Sequence, residues 1–518
     1  MKKTFLFALS ALAFGQIFAQ TNTLLDQAFW RAKPDVAAVK AEVEKGNNPL
    51  EFNAGAFDPT TLAINQDAPI ATVKYLLEQS KNDIKRKTHD ARIYLHWAAY
   101  RGNVELVEYL LGLGSNINEE DSHGTTPVAF AAGSGGLNKG IVEAFAKKGL
   151  DIKKTYRDGA NLLLLGIASD KDFALTDYLV SKGLSINSVD AKGNTAFNYA
   201  ARGGDIELLK ALLKKGVKYN NDALIAAAQG SRRTANTIDV FKYLVEDLKL
   251  KPNYVSASGE NVLHSIVRKA NQTEIIKYFL DKGADVNQAT KEDGSTPFLN
   301  AVSGRDLSVV ELLAPKVSNF NYANSKGETA LAIAVRGSTA EVVAFLIGKG
   351  ANVNAKDKEG NSLASYLIES YRPQMAGGRG AGAPQGGPGA PQGGAGGTRP
   401  QQQDDFTAKL NLLKEKGLDF AALQQEGNSI YHLAVAKNDA RLLQKLADFK
   451  VDLNIKNKEG NTALHKAALI AKDDKVLKFL VDAGANKTIK TDFDETAFDL
   501  AKENDNLTKN NISVDFLK

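Results

Sequence analysis

One asparagine returns along this chain almost like a ruler mark. Asn187, Asn220, Asn253, Asn287, Asn321 and Asn354 are separated by 33, 33, 34, 34 and 33 residues. Between the marks the residues differ but their pattern does not. "KGNTAFNYAARGGDIELLKALLKKGVKYN" from Lys192, "KGETALAIAVRGSTAEVVAFLIGKGANVN" from Lys326 and "EGNTALHKAALIAKDDKVLKFLVDAGANK" from Glu459 share one plan. Each runs through a glycine turn, a short apolar helix, a polar break, a second apolar helix, and a closing glycine and asparagine. A constant period with divergent content is the signature of a repeat array. This constrains the fold more than length does, because 518 residues alone would equally suit several unrelated domains.

Elementary chemistry explains each part of the unit. Threonine in "GNTAL" (Thr195, Thr462) and "GSTPF" (Thr296) stands where its hydroxyl accepts from the free N–H groups of the first helix. Paired alanines, such as Ala98 with Ala99 and Ala200 with Ala201, allow helices to approach closely. In the second helix, "VELVEYLL" places Val104, Val107, Leu110 and Leu111 on one face at helical spacing. Glycines at 114, 183, 216, 283, 350 and 484 then let the chain leave that helix through a positive φ angle. One unit cannot bury its apolar face alone, whereas a stack of units can.

These residues resemble the ankyrin repeat, whose unit of about 33 residues carries a Thr-Pro-Leu-His box and a Gly-Ala-Asp-Val-Asn ending. "TTPVAFAA" from Thr125, "STPF" from Ser295, "TALHKAA" from Thr462, "YLHWAA" from Tyr94, "DKGADVN" from Asp281 and "GKGANVN" from Gly348 carry the likeness. It implies an all-α solenoid of about 13 helix-turn-helix units with short β-hairpin tips and a C-terminal half-repeat cap. The expected array is a single one over residues 20–518, with an N-terminal cap repeat at 22–50 and a polar C-terminal cap at 493–518. One unit departs from the pattern: "NDALIAAAQG" follows Asn220 at once, and "SRRTANT" is extra, so the stack is expected to bend or fray there.

A Gly-, Pro- and Gln-rich stretch, 374–403, interrupts the pattern. From Asn354 to Asn454 there are 100 residues where two units need 66, so the surplus of 34 matches the stretch itself. A first helix precedes it and a second helix follows it, which makes it a disordered insertion inside one repeat instead of a linker between domains. Its Pro388 and Pro391 form one PxxP spacing.

The N-terminus, "MKKTFLFALSALAFGQIFAQ", has a basic start and a short apolar run, the layout of a signal peptide over 1–19 cleaved after Ala19. No other segment has the length of apolar sequence that a membrane span requires. The chain has no cysteine, which removes disulfides and thiolate metal sites and, for an exported protein, suits a bacterial periplasm better than a eukaryotic secretory route. Its formal charge, 65 basic minus 60 acidic residues or +5, argues for neither nucleic acid nor a membrane surface as partner.

Candidate functional residues follow from the resemblance. His96, His264, His432 and His465 fall at the box position, where the family implies a ring bonded to neighbouring turns. His89 and His123, on neighbouring tips, lack a third metal ligand. No nucleophile motif, phosphate loop or zinc-protease box is present, and neither catalytic residue nor cofactor is expected. Binding in the family uses the concave face. The position after the box residue holds Trp97, Phe130, Leu165 and Tyr199 in four successive units before changing to Ala226, Ser265 and Asn300. With Tyr100, Arg101 and Arg202 alongside, these form the expected partner-binding stripe, rich in the residue types that dominate interfaces. Tip residues of both signs, such as Lys192 and Glu359, point to a protein partner. The expected function is a monomeric, non-enzymatic scaffold, exported and more at home in the periplasm than outside the cell. Support of an exported enzyme, for instance in stress defence, and a host-directed effector are the alternatives.

Overall fold

The computed structural model describes residues 22–230, 235–373 and 399–518. The expected signal peptide and residues 374–398 of the insertion lie outside them. The chain divides into two compact units, with the division between Ala196 and Phe197.

The first unit, from residue 22 to 196, contains α1 (Gln27–Arg31), α2 (Val36–Glu44), α3 (Pro59–Asn65), α4 (Ile70–Gln79), α5 (Tyr94–Tyr100), α6 (Val104–Gly112), α7 (Pro127–Ser134), α8 (Lys139–Ala146), α9 (Leu162–Gly166) and α10 (Ala174–Ser181). First helices pack on first helices, α3 on α5, α5 on α7 and α7 on α9, while α6 packs on α8 in a second layer. Trp30, Leu76, Leu95, Leu110 and Phe145 are fully buried between the layers. In place of a helix-starting repeat, the segment from Asn22 seats itself by side chains: the Trp30 indole donates to Leu24 O at 2.7 Å.

The second unit starts within α11 (Ala196–Ala201) and continues through α12 (Ile206–Lys214), α13 (Asp222–Gln229), α14 (Ile238–Lys242), α15 (Leu263–Ile266), α16 (Thr273–Asp281), α17 (Pro297–Ser303), α18 (Leu307–Leu313), α19 (Ala330–Gly337), α20 (Ala340–Gly348) and α21 (Leu363–Ser370). Beyond the insertion come α22 (Arg399–Glu415), α23 (Ile430–Val435), α24 (Ala440–Leu446), α25 (Ala463–Ile470), α26 (Lys475–Asp482), α27 (Ala497–Glu503) and α28 (Asp505–Lys509). Every odd-numbered helix from α13 to α27, α22's partner α21 included, packs on the next odd one. After the short unit at Asn220, α14 widens into a π-helical turn, Tyr243–Asp247, in which Leu248 N donates to Tyr243 O.

Helix α22 starts inside the stretch assigned to the insertion, so residues 399–403 carry helical backbone. The run Gln401–Gln403 consists of good helix formers, and Pro400 stands in the first turn, where its missing N–H costs nothing. Packing of α22 on both α20 and α21 is accompanied by specific bonds. Buried Lys409 donates to the carbonyls of Val335 and Ser338 and pairs with Asp405 at 3.0 Å. Asp405 accepts from Ala340 N at 2.6 Å, and Gln424 accepts from Ser362 N at 2.7 Å. Tyr371, the last buried side chain before the insertion, donates to Asp439 at 2.9 Å.

Local chemistry accounts for the helix ends. Thr296, Thr329 and Thr462 accept from Leu299, Ala332 and His465 N–H groups, as expected of caps, while the hydroxyl of Thr126 is buried without a partner. Asn103, Asn138 and Asp306 cap second helices in the same way. Among the described residues the loop tips contain no strand. They close on single bridges, such as Val189 with Thr195 in the first unit and Ala323 with Thr329 in the second. Successive tips are tied by backbone bonds: Ser122 N to Asp90 O and Ala191 N to Asp158 O in the first unit, and Ser325 N to Asp293 O in the second, each at 2.8 Å.

The four box histidines share one geometry. In each, Nδ1 accepts from the backbone N–H three residues earlier: Ile93 for His96, Asn261 for His264, Ser429 for His432 and Thr462 for His465. That leaves the proton on Nε2, which donates to a carbonyl of the following repeat. The acceptors are Thr125 at 3.0 Å, Ser295 at 3.3 Å, Asn461 at 2.8 Å and Ile489 at 2.9 Å. Burial, which penalises the charged ring, lowers the pKa of all four, that of His96 to about 4.

Candidate functional site: two inner-helix faces

In the first unit, the residues of the expected stripe are drawn together and largely buried. Trp97 keeps 5% of its surface and Phe130 keeps 8%. Their rings meet edge to face at 5.8 Å, and Tyr100, half-buried, stacks on Phe130 at 5.4 Å. On the other side Phe57 lies 5.7 Å from Trp97 and stacks on His89 at 4.7 Å. Such pairs contribute about 0.5–1.5 kcal/mol each beyond the area they bury. The Trp97 indole donates to Thr88 Oγ1 at 2.8 Å, so its polar edge is satisfied inside the fold. Trp97 and Phe130 therefore form a floor, and half-buried Tyr100 and His89 are the parts of the cluster that reach solvent.

Beneath this floor lies a residue that the sequence reading did not single out. Arg92 is 2% exposed, with its guanidinium carbon 4.2 Å from the Phe130 ring and 5.3 Å from the Trp97 ring. It donates to Asp121 at 2.9 Å and to Asp90 at 2.9 Å. A buried cation needs such partners. The register held the clue: Arg92 stands where the next two repeats have Thr125 and Ala160, a large cation in place of small residues. The tip beside it is also unusual. Asp90 and Ala91 are both left-handed, at φ 56° and 57°, where the two following repeats place Gly124 and Gly159 at the second position.

His89 and His123 each bring Nε2 to 3.5 Å from one oxygen of Asp90. That oxygen already accepts from Arg92, whose charge stands where a cation would bind, and the His89 Nδ1 donates to Gly55 O at 2.9 Å. Among the described residues no group of three or more His, Asp or Glu side chains is arranged to hold a metal ion.

The other stripe residues are placed differently. Arg101 forms a two-point pair with Asp67 of the preceding repeat, with Nε to Oδ1 at 2.8 Å, so its charge is neutralised within the unit. Leu165 is half-buried on α9. Tyr199 and Arg202 belong to the second unit. Tyr199 is half-buried on α11, and Arg202 is exposed and donates to Gln229 Oε1 at 2.6 Å. Further along that unit the register position of Trp97 is occupied by half-buried Ser265 and Asn300 and by buried Tyr366, whose hydroxyl donates to Asp357 at 2.8 Å.

No described helix is long and apolar enough to cross a membrane. Family models described as ankyrin repeats match residues 61–156 and 263–357, residues 166–213, and residues 446–501. Among curated proteins, a palmitoyltransferase of Lachancea kluyveri is 31% identical over 183 residues, which are 33% of this chain and 25% of that protein. Alpha-latrotoxin-Lg1a of Latrodectus geometricus is 25% identical over 228 residues, 42% of this chain and 16% of the toxin. A probable 26S proteasome regulatory subunit of Saccharomyces cerevisiae is 28% identical over 149 residues, 28% of this chain and 64% of the subunit. The chain thus spans a quarter or less of the first two relatives. What it shares with proteins of such different names is the repeated pair of helices, and the matched segments together make up more than half of its length. The chain belongs to the ankyrin-repeat family.

Proposed function

We propose that this protein is a non-enzymatic scaffold that captures a partner protein on the first-helix faces of its ankyrin repeats, the concave side of the stack in this family. The observation that carries the reading is the exposure pattern of those helices. Within α5 and α11 the alanines at 98, 99, 200 and 201 are buried, yet Tyr100 and Tyr199 are half-exposed and Arg202 is exposed. Rigid aromatic and arginine side chains held at a surface by a packed floor are the material of interface hot spots. Ankyrin repeats are chiefly interaction modules, and a binding role needs no converged reactive groups.

The stack comprises about thirteen repeats and a terminal half-repeat and runs as one array, with 374–398 an excursion inside one repeat. The protein acts as a monomer, binds no nucleic acid, and works outside the cytoplasm, in the periplasm, after loss of residues 1–19. The test is a cross-linked pull-down from the exported fraction, comparing wild type with Tyr100→Ala plus Tyr199→Ala. Loss of the captured partner by a variant with unchanged helix content is the expected result. Full retention of that partner sinks the face-binding reading, and a chain found only in the cytoplasm sinks the location.

A further inference from the structure

The last turns of the first helices in the second unit collect positive charge. The residue four places after the box position is Arg202, Gln229, Arg268, Ser303, Arg336 and Glu369 in successive repeats. Arginine thus recurs at the same register in every second repeat. Arg305 and Arg372 extend the row just beyond the ends of α17 and α21. Arg202, Arg268, Arg305 and Arg372 are all exposed. Lysines reach into the same row from behind. Lys269 donates to the carbonyl of Gln229, whose side chain holds Arg202, so cations from the repeats on either side meet at one glutamine. Lys437 and Arg372 likewise both donate to Glu369 O, at 3.1 and 2.8 Å.

Capping of helix ends explains part of this. A cation at a helix C-terminus satisfies free carbonyls and meets the negative end of the dipole. Lys269, Lys409 and Lys437 do this, and burial together with neighbouring cations lowers their pKa values. Arg372 does the same at the end of α21, whereas Arg202, Arg268 and Arg305 are not accounted for in that way. Among the described residues neither Arg268 nor Arg305 has an ion-pair partner. Carboxylates nearby are committed elsewhere: Asp306 caps α18, Glu328 pairs with Arg336, and Asp405 pairs with Lys409. Glu369 faces the row at Arg336 and Lys437. Gathering like charges this way costs self-repulsion, which an anionic partner removes.

We propose that this row is the docking surface for an extended, Asp- and Glu-rich segment of the partner protein, with its carboxylates forked on Arg202, Arg268 and Arg305. The inference rests on the scaffold reading and adds the partner's chemistry. Arginine suits the role because its planar fork binds a carboxylate at two points. The spacing suits a strand as well. Packed helices lie about 8–10 Å apart, and an extended chain advances about 3.3 Å per residue, so roughly one acidic side chain in three meets successive repeats.

The test uses the full chain and fluorescence anisotropy with a labelled Asp-Glu copolymer peptide of about 16 residues, the length that five inter-helix steps require. Wild type is expected to bind it and to lose about tenfold in affinity as salt rises from 50 to 200 mM. Arg202→Glu plus Arg268→Glu plus Arg305→Glu is expected to weaken binding by about tenfold or more. Lys214→Glu plus Lys242→Glu plus Lys277→Glu makes the same change in net charge on exposed second-helix positions of the same unit, and is expected to stay within about twofold. Far-UV circular dichroism checks that both variants are folded. Equal weakening by both variants, no binding by wild type, or tighter binding of an oligouridylate of equal length overturns the proposal. If the arginine variant keeps the partner that Tyr100→Ala plus Tyr199→Ala loses, the acidic-segment inference falls while the scaffold reading stands.

Discussion

The two units use the same repeat to build different inner faces. In the first, the register position after the box is filled by Trp97 and Phe130 over a buried arginine, and Arg101 beside Tyr100 is spent on Asp67. In the second, the same position shrinks to Ser265 and Asn300 in two successive repeats between Tyr199 and Tyr366, and exposed Arg202, Arg268 and Arg305 stand at or just beyond the ends of the first helices. The contrast shows that equivalent positions in a repeat array carry no fixed role. A large apolar side chain is drawn inward wherever a neighbour offers a ring or an alkyl wall. Where the neighbours are small, it is the end of the helix that meets solvent.

Three measurements would break or sharpen this contrast. The largest effect is expected from Trp97→Ala, which removes a buried ring, its bond to Thr88 and its contacts with Phe57 and Phe130. A loss of about 3–5 kcal/mol is expected, against about 1 kcal/mol for Tyr199→Ala at the equivalent half-buried position. Both tryptophans, Trp30 and Trp97, lie in the first unit, so indole fluorescence during urea unfolding reports that unit while far-UV circular dichroism reports both. Equal losses at the two positions would erase the distinction.

Acid comes next. The folded pKa of each box histidine is depressed, so between the unfolded value, about 6.5, and the folded one the unfolded chain holds a proton that the folded chain refuses. Their stabilising effect is present above about pH 6.5 and is lost as pH falls. For His96, with its pKa near 4, the loss by pH 5 is about 2 kcal/mol. The first unit has this one box histidine and the second has three, so acidification should lower the dichroism midpoint more than the fluorescence midpoint. His96→Leu, which copies Leu164 two repeats further on, should remove the pH dependence seen by fluorescence whatever it does to absolute stability. A slope that survives this change assigns the acid response to other groups.

The smallest effect concerns the second unit alone. Replacing residues 375–398 by a short Gly-Ser linker is expected to change its stability by about 1 kcal/mol or less, because loop length enters closure entropy only logarithmically. The bonds of Lys409 to α19 and of Tyr371 to Asp439 remain in that variant. A dichroism transition that splits in two would instead make the stretch a linker between separately folding parts.

Much of the architecture was legible in the sequence. The asparagine interval, the threonine caps and the closing glycines are local signals, and local signals survive without knowledge of neighbours. The role of the box histidines was legible for the same reason, since Nδ1 bonds within its own turn. What required the structure depends on the next repeat. Pattern alone cannot tell whether Trp97 faces a partner or Phe57, and only the tertiary placement of Asp121 explains Arg92. Nor does periodicity reveal the division at Ala196 and Phe197, which falls inside a helix whose sequence is as regular as its neighbours'. The composition of 399–403 signals disorder, whereas the backbone there is helical and continuous with the part of α22 that Asp405 and Lys409 tie to neighbouring helices.

The histidine bonds carry a consequence for how such a chain can be divided. Each Nε2 spends its proton on a carbonyl in the following repeat, so a repeat with a box histidine is chemically unfinished until its successor is present. Asp499, at the equivalent place in α27, differs: its carboxylate accepts from the N–H and hydroxyl of its own Thr496. Shortened versions of the array are therefore best cut behind repeats whose box residue owes nothing forward. The same list of residues that describes the fold doubles as a map of where it can be trimmed.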